Sequence, residues 1–245
     1  MSSRQDPVGS FEVAGETGAD ALLAGFSSFG LAGLTVVDSL VEQLDLAEVG
    51  HVTAPALPSL TPFEDGVPRH HSRIYGRPAG DVAVLVNELF VPPWATEAFA
   101  SALLSWTDQN DVDELAVLSG VPVPHGPEDH RVFYVATEDY RDHRLQDAPV
   151  APMGSGFLDG VNASLLAHGM DSPVRSATYV TPVHPPAPDV DAAIRLLETA
   201  ATVYDLDVSA GPLEELAAEV EQYYRGLAER LDAAEEQQPR DRMYM

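Results

Sequence analysis

Residues 21–44 read ALLAGFSSFGLAGLTVVDSLVEQL, and this stretch decides the fold. Ala21 to Gly25 is an apolar run of strand length. Phe26 to Phe29 make a turn, and from Gly30 onward the pattern becomes helical. Leu31, Leu34, Val37, Val41 and Leu44 recur at spacings of three and four, with Asp38, Glu42 and Gln43 on the opposite side. Strand, glycine-bearing turn and helix form the opening unit of a parallel α/β sheet, whose turns are the usual place for a site. The glycines of this unit, Gly25, Gly30 and Gly33, are spaced G-x4-G-x2-G. That is neither the dinucleotide fingerprint nor a phosphate-binding loop, since no Lys follows. The spacing predicts a tight turn at Gly25 and Gly30, with Gly33 letting the helix approach the sheet closely.

Working outward, the same rhythm repeats. Asp81-Val-Ala-Val-Leu-Val86 is a continuous branched apolar run, as expected for a parallel strand buried on both faces. Glu114–Ser119, Val132–Ala136 and Arg175–Val180 read as further strands, with an edge strand at Phe11–Val13 and another at His51–Ala54. Helices are expected from Pro92 to Trp106, over Glu138–Leu145, from Leu158 to His168, and after Asp189, which is placed to cap the last of these. Ile194, Leu197 and Ala201 are its expected inward residues. Pro55 to Gly80 carries five prolines and reads as a loop-rich excursion, with Ser72–Tyr75 a strand of a hairpin within it. A second glycine turn, Gly154-Ser155-Gly156, precedes the helix at Leu158. Alternation of this kind predicts an α/β protein built as a three-layer α/β/α sandwich.

From Pro212 the character changes. Leu213, Leu216, Val220, Tyr223, Leu227 and Leu231 form one apolar stripe, so a helix over 212–236 is expected to dock on the body or on another subunit. A polar tail, 237–245, follows and ends in Met243-Tyr244-Met245, an apolar pair around a tyrosine where a featureless terminus is the norm. The domain organisation read from these shifts is an α/β body over 1–211, the helix, and the tail.

Composition narrows the function classes. The net charge is −26, and all 13 basic residues are Arg. Acidic residues spread along the whole chain, without Lys, suit a cytoplasm with molar salt, where a screening length of about 3 Å removes self-repulsion. The source is read as a halophile and the protein as cytoplasmic. Duplex nucleic acid is not an expected partner, because phosphate neutralisation needs a basic face. Cysteine is absent, which excludes disulfides, thiolate metal sites and a Cys nucleophile. Met1 to Gly18 is polar, so no signal peptide is expected, and the longest apolar runs are too short to cross a membrane.

No metal site, cofactor or catalytic residue is expected. His70 and His71 are adjacent in a loop; His125, Asp129 and His130 cluster without ligand spacing, and read as surface or hydrogen-bonded side chains. Gly154-Ser155-Gly156 is not a nucleophile elbow, so Ser155 reads as a turn residue. Asn162-Ala-Ser164 is a glycosylation triplet by chance, within a helix.

Several segments together resemble the proteasome assembly chaperone 2 family: Gly25-Phe-Ser-Ser-Phe-Gly-Leu-Ala-Gly33 with its helix, Phe133-Tyr-Val-Ala-Thr137, Gly156-Phe-Leu-Asp-Gly-Val-Asn-Ala-Ser-Leu-Leu166, and the helix start within Val183–Leu197. The likeness spans roughly residues 20 to 225, and Phe26-Ser-Ser-Phe29 stands where the family has a proline-glycine turn. The resemblance implies a fold like that of nucleoside phosphorylases without their catalytic residues, and a homo-oligomer, a trimer or larger. It also implies binding to the α-subunits of the 20S proteasome through a C-terminal hydrophobic–tyrosine–any motif, which Met243-Tyr244-Met245 matches position for position. The function expected is that of a non-enzymatic assembly chaperone-like protein. A second reading stays open: an enzyme or small-molecule binder using the crevice near Gly25, Gly30, Gly33, Gly154 and Gly156.

Overall fold

A computed structural model of the chain describes residues 11–55, 57–78, 80–184 and 188–237. In chain order its strands are β1 (Glu12–Gly15), β2 (Ala21–Phe26), β3 (Ala47–Thr53), β4 (Phe63–Glu64), β5 (Val67–Pro68), β6 (Ser72–Gly76), β7 (Val82–Asn87), β8 (Glu114–Val121), β9 (Phe133–Ala136), β10 (Ala151–Pro152) and β11 (Arg175–Pro182). The helices are α1 (Ala32–Gln43), α2 (Thr96–Gln109), α3 (Glu138–Arg144), α4 (Gly160–Gly169), α5 (Val190–Tyr204) and α6 (Gly211–Gln237).

Nine strands form one sheet in the order β1-β3-β6-β7-β2-β8-β11-β9-β10, and β4 and β5 form a separate small hairpin. The centre, β7-β2-β8-β11, is parallel. On one flank β6, β3 and β1 add antiparallel; on the other, β9 runs antiparallel to β11 and β10 parallel to β9.

Every residue of β2 and β7 is buried, which explains their unbroken apolar runs: both faces are covered, so no polar alternation is selected. The two-residue period of a strand then sorts the side chains into two cores. Leu22, Ala24, Phe26, Leu85, Leu115 and Val117 enter one, roofed by Phe99 and Leu103 of α2 and Leu165 of α4. Leu23, Val84, Val86, Ala116, Leu118 and Tyr179 enter the other, under α1, α3 and α5. The three-layer α/β/α arrangement expected from the sequence is therefore the one observed.

Four local readings need correction. Ser72–Gly76 is not part of a hairpin inside the proline-rich excursion but the sheet strand between β3 and β7; the hairpin there is β4–β5. The strand itself is as expected, but its place in the main sheet is not, because Ser72 and Arg73 are buried by partners that sequence does not reveal. The strand expected at His51 begins at Ala47. The inward face of α5 is Val190, Ala193, Leu196, Leu197 and Ala200, so Ile194 and Ala201 sit at its margin rather than its centre. In α6 only the start of the stripe is covered. Leu213 is buried against the body with Ala217 and Val220 beside it, whereas Leu216, Tyr223, Tyr224 and Leu227 are exposed. Among the described residues no helix is long and apolar enough to cross a membrane.

Candidate functional site

The glycines of the opening unit are spent on close packing. A Cβ on Gly25 would overlap the carbonyl of Gly33, and one on Gly33 would overlap the carbonyl of Leu118, so α1 rests directly on the backbone of β2 and β8. Gly30 and Leu31 both take left-handed conformations, at φ 67° and 52°. That reversal starts α1 and exposes the Gly30 carbonyl, which accepts a hydrogen bond from the Asp189 N–H at 2.8 Å. The turn after β2 is thereby tied to the loop after β11. Gly154 and Gly156 lie in an exposed loop, and a Cβ on either would meet nothing within 4 Å. Two open depressions, of about 440 and 350 Å³, are lined by other residues: Val135–Asp139 with Leu166, Gly169 and Met170, and His130–Val132 with Pro149–Ala151 and Arg195. Met243, Tyr244 and Met245 lie outside the described residues.

Asp189 organises the carboxyl end of the sheet. Its carboxylate accepts the Ala192 N–H at 2.9 Å, capping α5 as the sequence predicts, and also takes the His184 N–H at 2.8 Å and the His184 ring Nδ1 at 3.1 Å. Burial works to raise its pKa. The bonds from the His184 and Ala192 N–H groups, then the His184 ring and the charge of Arg195, outweigh it and hold the carboxyl below its usual range.

His184 follows β11, and its ring meets two others. His125, in the loop after β8, places its Nε2 3.1 Å from the Nε2 of His184. His130, shortly before β9, completes the group, with ring centroids 5.0 Å from His125 and 5.2 Å from His184. One ring nitrogen from each of the three lies within 4.8 Å of the others. The topology makes this meeting: β8 and β11 are parallel neighbours, and β9 runs antiparallel to β11, so the end of two strands and the start of the third share one edge. Sequence reading placed His125 and His130 at the surface and missed His184, whose only signal was its position between a strand end and the Asp189 cap.

The same end exposes large apolar side chains. Phe29 and Leu31 follow β2, Phe90 and Trp94 follow β7, and Phe157 precedes α4; all are exposed, Phe157 fully. The other histidines are more ordinary. His70 stacks on His51 with centroids 3.7 Å apart, and His71 Nδ1 meets the Ser72 hydroxyl at 2.7 Å. Burial, then His70, lowers the pKa of His71.

The amino end of the sheet is built differently. Glu114, which opens β8, is 1% exposed and meets Arg144 at 2.9 Å, His143 at 3.1 Å and Arg175 at 3.3 Å. Beside it the Tyr140 hydroxyl bridges those of Tyr179 at 2.9 Å and Tyr204 at 2.7 Å, tying α3 to β11 and α5. Burial pushes Tyr140 well above the ordinary tyrosine range, as it does Tyr179 and Tyr204.

Comparison with known proteins agrees with this architecture. The model of the PAC2 family matches residues 22–228. PbaA of Pyrococcus furiosus, described as an archaeal homolog of proteasome-assembly chaperone, superimposes with a TM-score of 0.83 at 20% identity, over 94% of this chain and 97% of that one. PbaB of the same organism, described as an archaeal proteasome activator, gives 0.75 at 18% identity, over 89% and 99%. A protein of unknown function from Thermoplasma acidophilum gives 0.74 at 24% identity, over 91% of each chain. A comparison with curated proteins finds no match.

Proposed function

The chain belongs to the PAC2 family, and from that premise we propose that it is a non-enzymatic, proteasome assembly chaperone-like protein that binds the α-ring of the 20S core. The observation that carries this reading is the fold, shared along nearly the whole chain with PbaA and PbaB.

In this reading residues 1–211 are the body, 212–236 an arm and 237–245 a tail. Tyr244 enters a pocket between neighbouring α-subunits, Met243 fills its apolar part, and the Met245 carboxylate pairs with a cation there. A three-residue contact is weak by itself, so affinity comes from several tails on one homo-oligomer. Support for the oligomer is the α6 stripe: Leu213, Leu216, Val220, Tyr223 and Leu227 follow the alternating three-and-four spacing of a heptad seam, and Leu216, Tyr223 and Leu227 are exposed. The acidic composition and the absence of Lys support a working environment of molar salt, in a cytoplasm.

The test is co-sedimentation with a 20S core in molar KCl. The full chain is compared with a chain lacking Met243–Met245 and with Tyr244→Ala. The full chain is expected to co-sediment and both variants to remain in the supernatant. Equal binding by all three removes the tail mechanism; binding by none removes the proteasome reading.

A further inference from the structure

We propose that His125, His130 and His184 form a binding site for a divalent transition-metal ion of the zinc class, at the carboxyl end of the central strands.

Two of the rings are already set in the form that ligation requires. A carbonyl oxygen can only accept, so the 2.6 Å contact between His125 Nδ1 and the Val123 carbonyl puts a proton on Nδ1, which in the neutral ring leaves Nε2 bare. The Asp189 carboxylate does the same for His184, whose Nδ1 lies 3.1 Å away. Carboxylate and carbonyl partners of this kind are the usual outer shell of a ligating histidine; they fix the ring and raise its basicity. With both rings neutral, two unprotonated Nε2 atoms face each other at 3.1 Å. With two neutral rings that contact sets lone pair against lone pair, and a cation between them resolves it.

The spacing fits a zinc-sized ion. Two imidazoles at Zn–N distances of about 2.0–2.1 Å and a tetrahedral angle bring their nitrogens to about 3.3–3.4 Å. The observed 3.1 Å is near that value, and a nitrogen of each ring lies within 4.8 Å of the others, so small rotations of exposed loop side chains close the triangle. Three neutral imidazoles suit a borderline ion and are poor ligands for calcium or magnesium, which take oxygen. A tetrahedral ion held this way keeps a fourth position open, on the side of the exposed His130 and His184 rings. The ion joins two separate segments: the loop between β8 and β9, which supplies His125 and His130, and the loop leading from β11 to α5, which supplies His184.

The experiment uses the full chain without a polyhistidine tag, stripped with chelator and freed of it, at high KCl. Zinc is titrated in competition with a chromophoric chelator, and cobalt is added in parallel to read coordination from its visible spectrum. One equivalent of zinc per chain and the intense band of four-coordinate cobalt are expected, with no response to magnesium. His125→Ala and His184→Ala should each weaken zinc binding by about 100-fold or more. His168→Ala, which removes a histidine paired with Glu97 elsewhere, should leave it unchanged. Zinc binding that is equally tight in the full chain and in the His125→Ala and His184→Ala variants assigns it to surface carboxylates and overturns the site. So does cobalt that stays six-coordinate. Thermal unfolding without metal checks that each variant is folded; should His184→Ala fail, His125→Ala carries the test alone.

Discussion

The two ends of the central sheet use the same kinds of side chain to opposite purposes. At the amino end, the acid, imidazole and guanidinium groups satisfy one another: Glu114 is enclosed by Arg144, Arg175 and His143, and three tyrosine hydroxyls close on themselves. At the carboxyl end Asp189 and a backbone carbonyl hold two imidazoles by one nitrogen each, leaving the other nitrogens turned toward each other, and several aromatic residues at this end are exposed. The charged and hydroxyl groups of the first end are spent on one another and serve stability. The second keeps imidazole nitrogens that no carbonyl or carboxylate holds, together with exposed apolar side chains, which is what a binding surface needs.

This contrast can be broken most readily at the amino end. Glu114→Ala strands Arg144 and Arg175 beside a buried gap and should cost about 3–5 kcal/mol. For a chain of this size that is a fall of roughly 10 °C in the thermal midpoint; an unchanged melt would show that the cluster is not what holds this end. Gly33→Ala sharpens the comparison, because toward the carboxyl end the backbones touch. A Cβ there overlaps the Leu118 carbonyl, and a loss of about 3 kcal/mol in denaturant unfolding is expected. Tyr140→Phe leaves two buried hydroxyls without their shared partner, at about 1–3 kcal/mol. The pH sign follows from the raised pKa. The unfolded chain gives up the tyrosine proton first, so stability is full below the ordinary value of 10.0 and declines above it, and the variant should show a shallower alkaline decline. Smallest of all, His125→Ala should change metal-free stability by no more than about 0.5 kcal/mol, since the ring is partly exposed and supports nothing above it.

What sequence made legible follows the range of the forces involved. The β2–α1 unit was readable because an apolar run and a three-to-four period are local, and so was the Asp189 cap. Gly33 was readable too, since a glycine in the first turn of a helix that faces a sheet predicts close approach. Ser72–Gly76 was not, because its burial rests on pairing with β3 and β7 and on the Arg73–Glu88 ion pair, none of which its own residues announce. The histidine group was half visible: His125 and His130 are neighbours in sequence, but His184 arrives from 59 residues beyond His125 through strand order alone. For α6 the stripe gave the apolar side, and the structure adds that most of it lies uncovered.

Helix α6 also sets a length scale. Its 27 residues span about 40 Å as a helix, whereas a flexible chain of that length would hold its far end at about 26–31 Å on average, smeared through a cloud. A body of this size has a radius of gyration near 18 Å, roughly half the length of that rod. Leu213 anchors this rod at its start, with Ala217 and Val220 beside it, and a helix held at one end confines its other end more closely than a flexible chain does. A group carried at the far end of such a rod has less positional freedom to lose on capture than one at the end of a flexible chain.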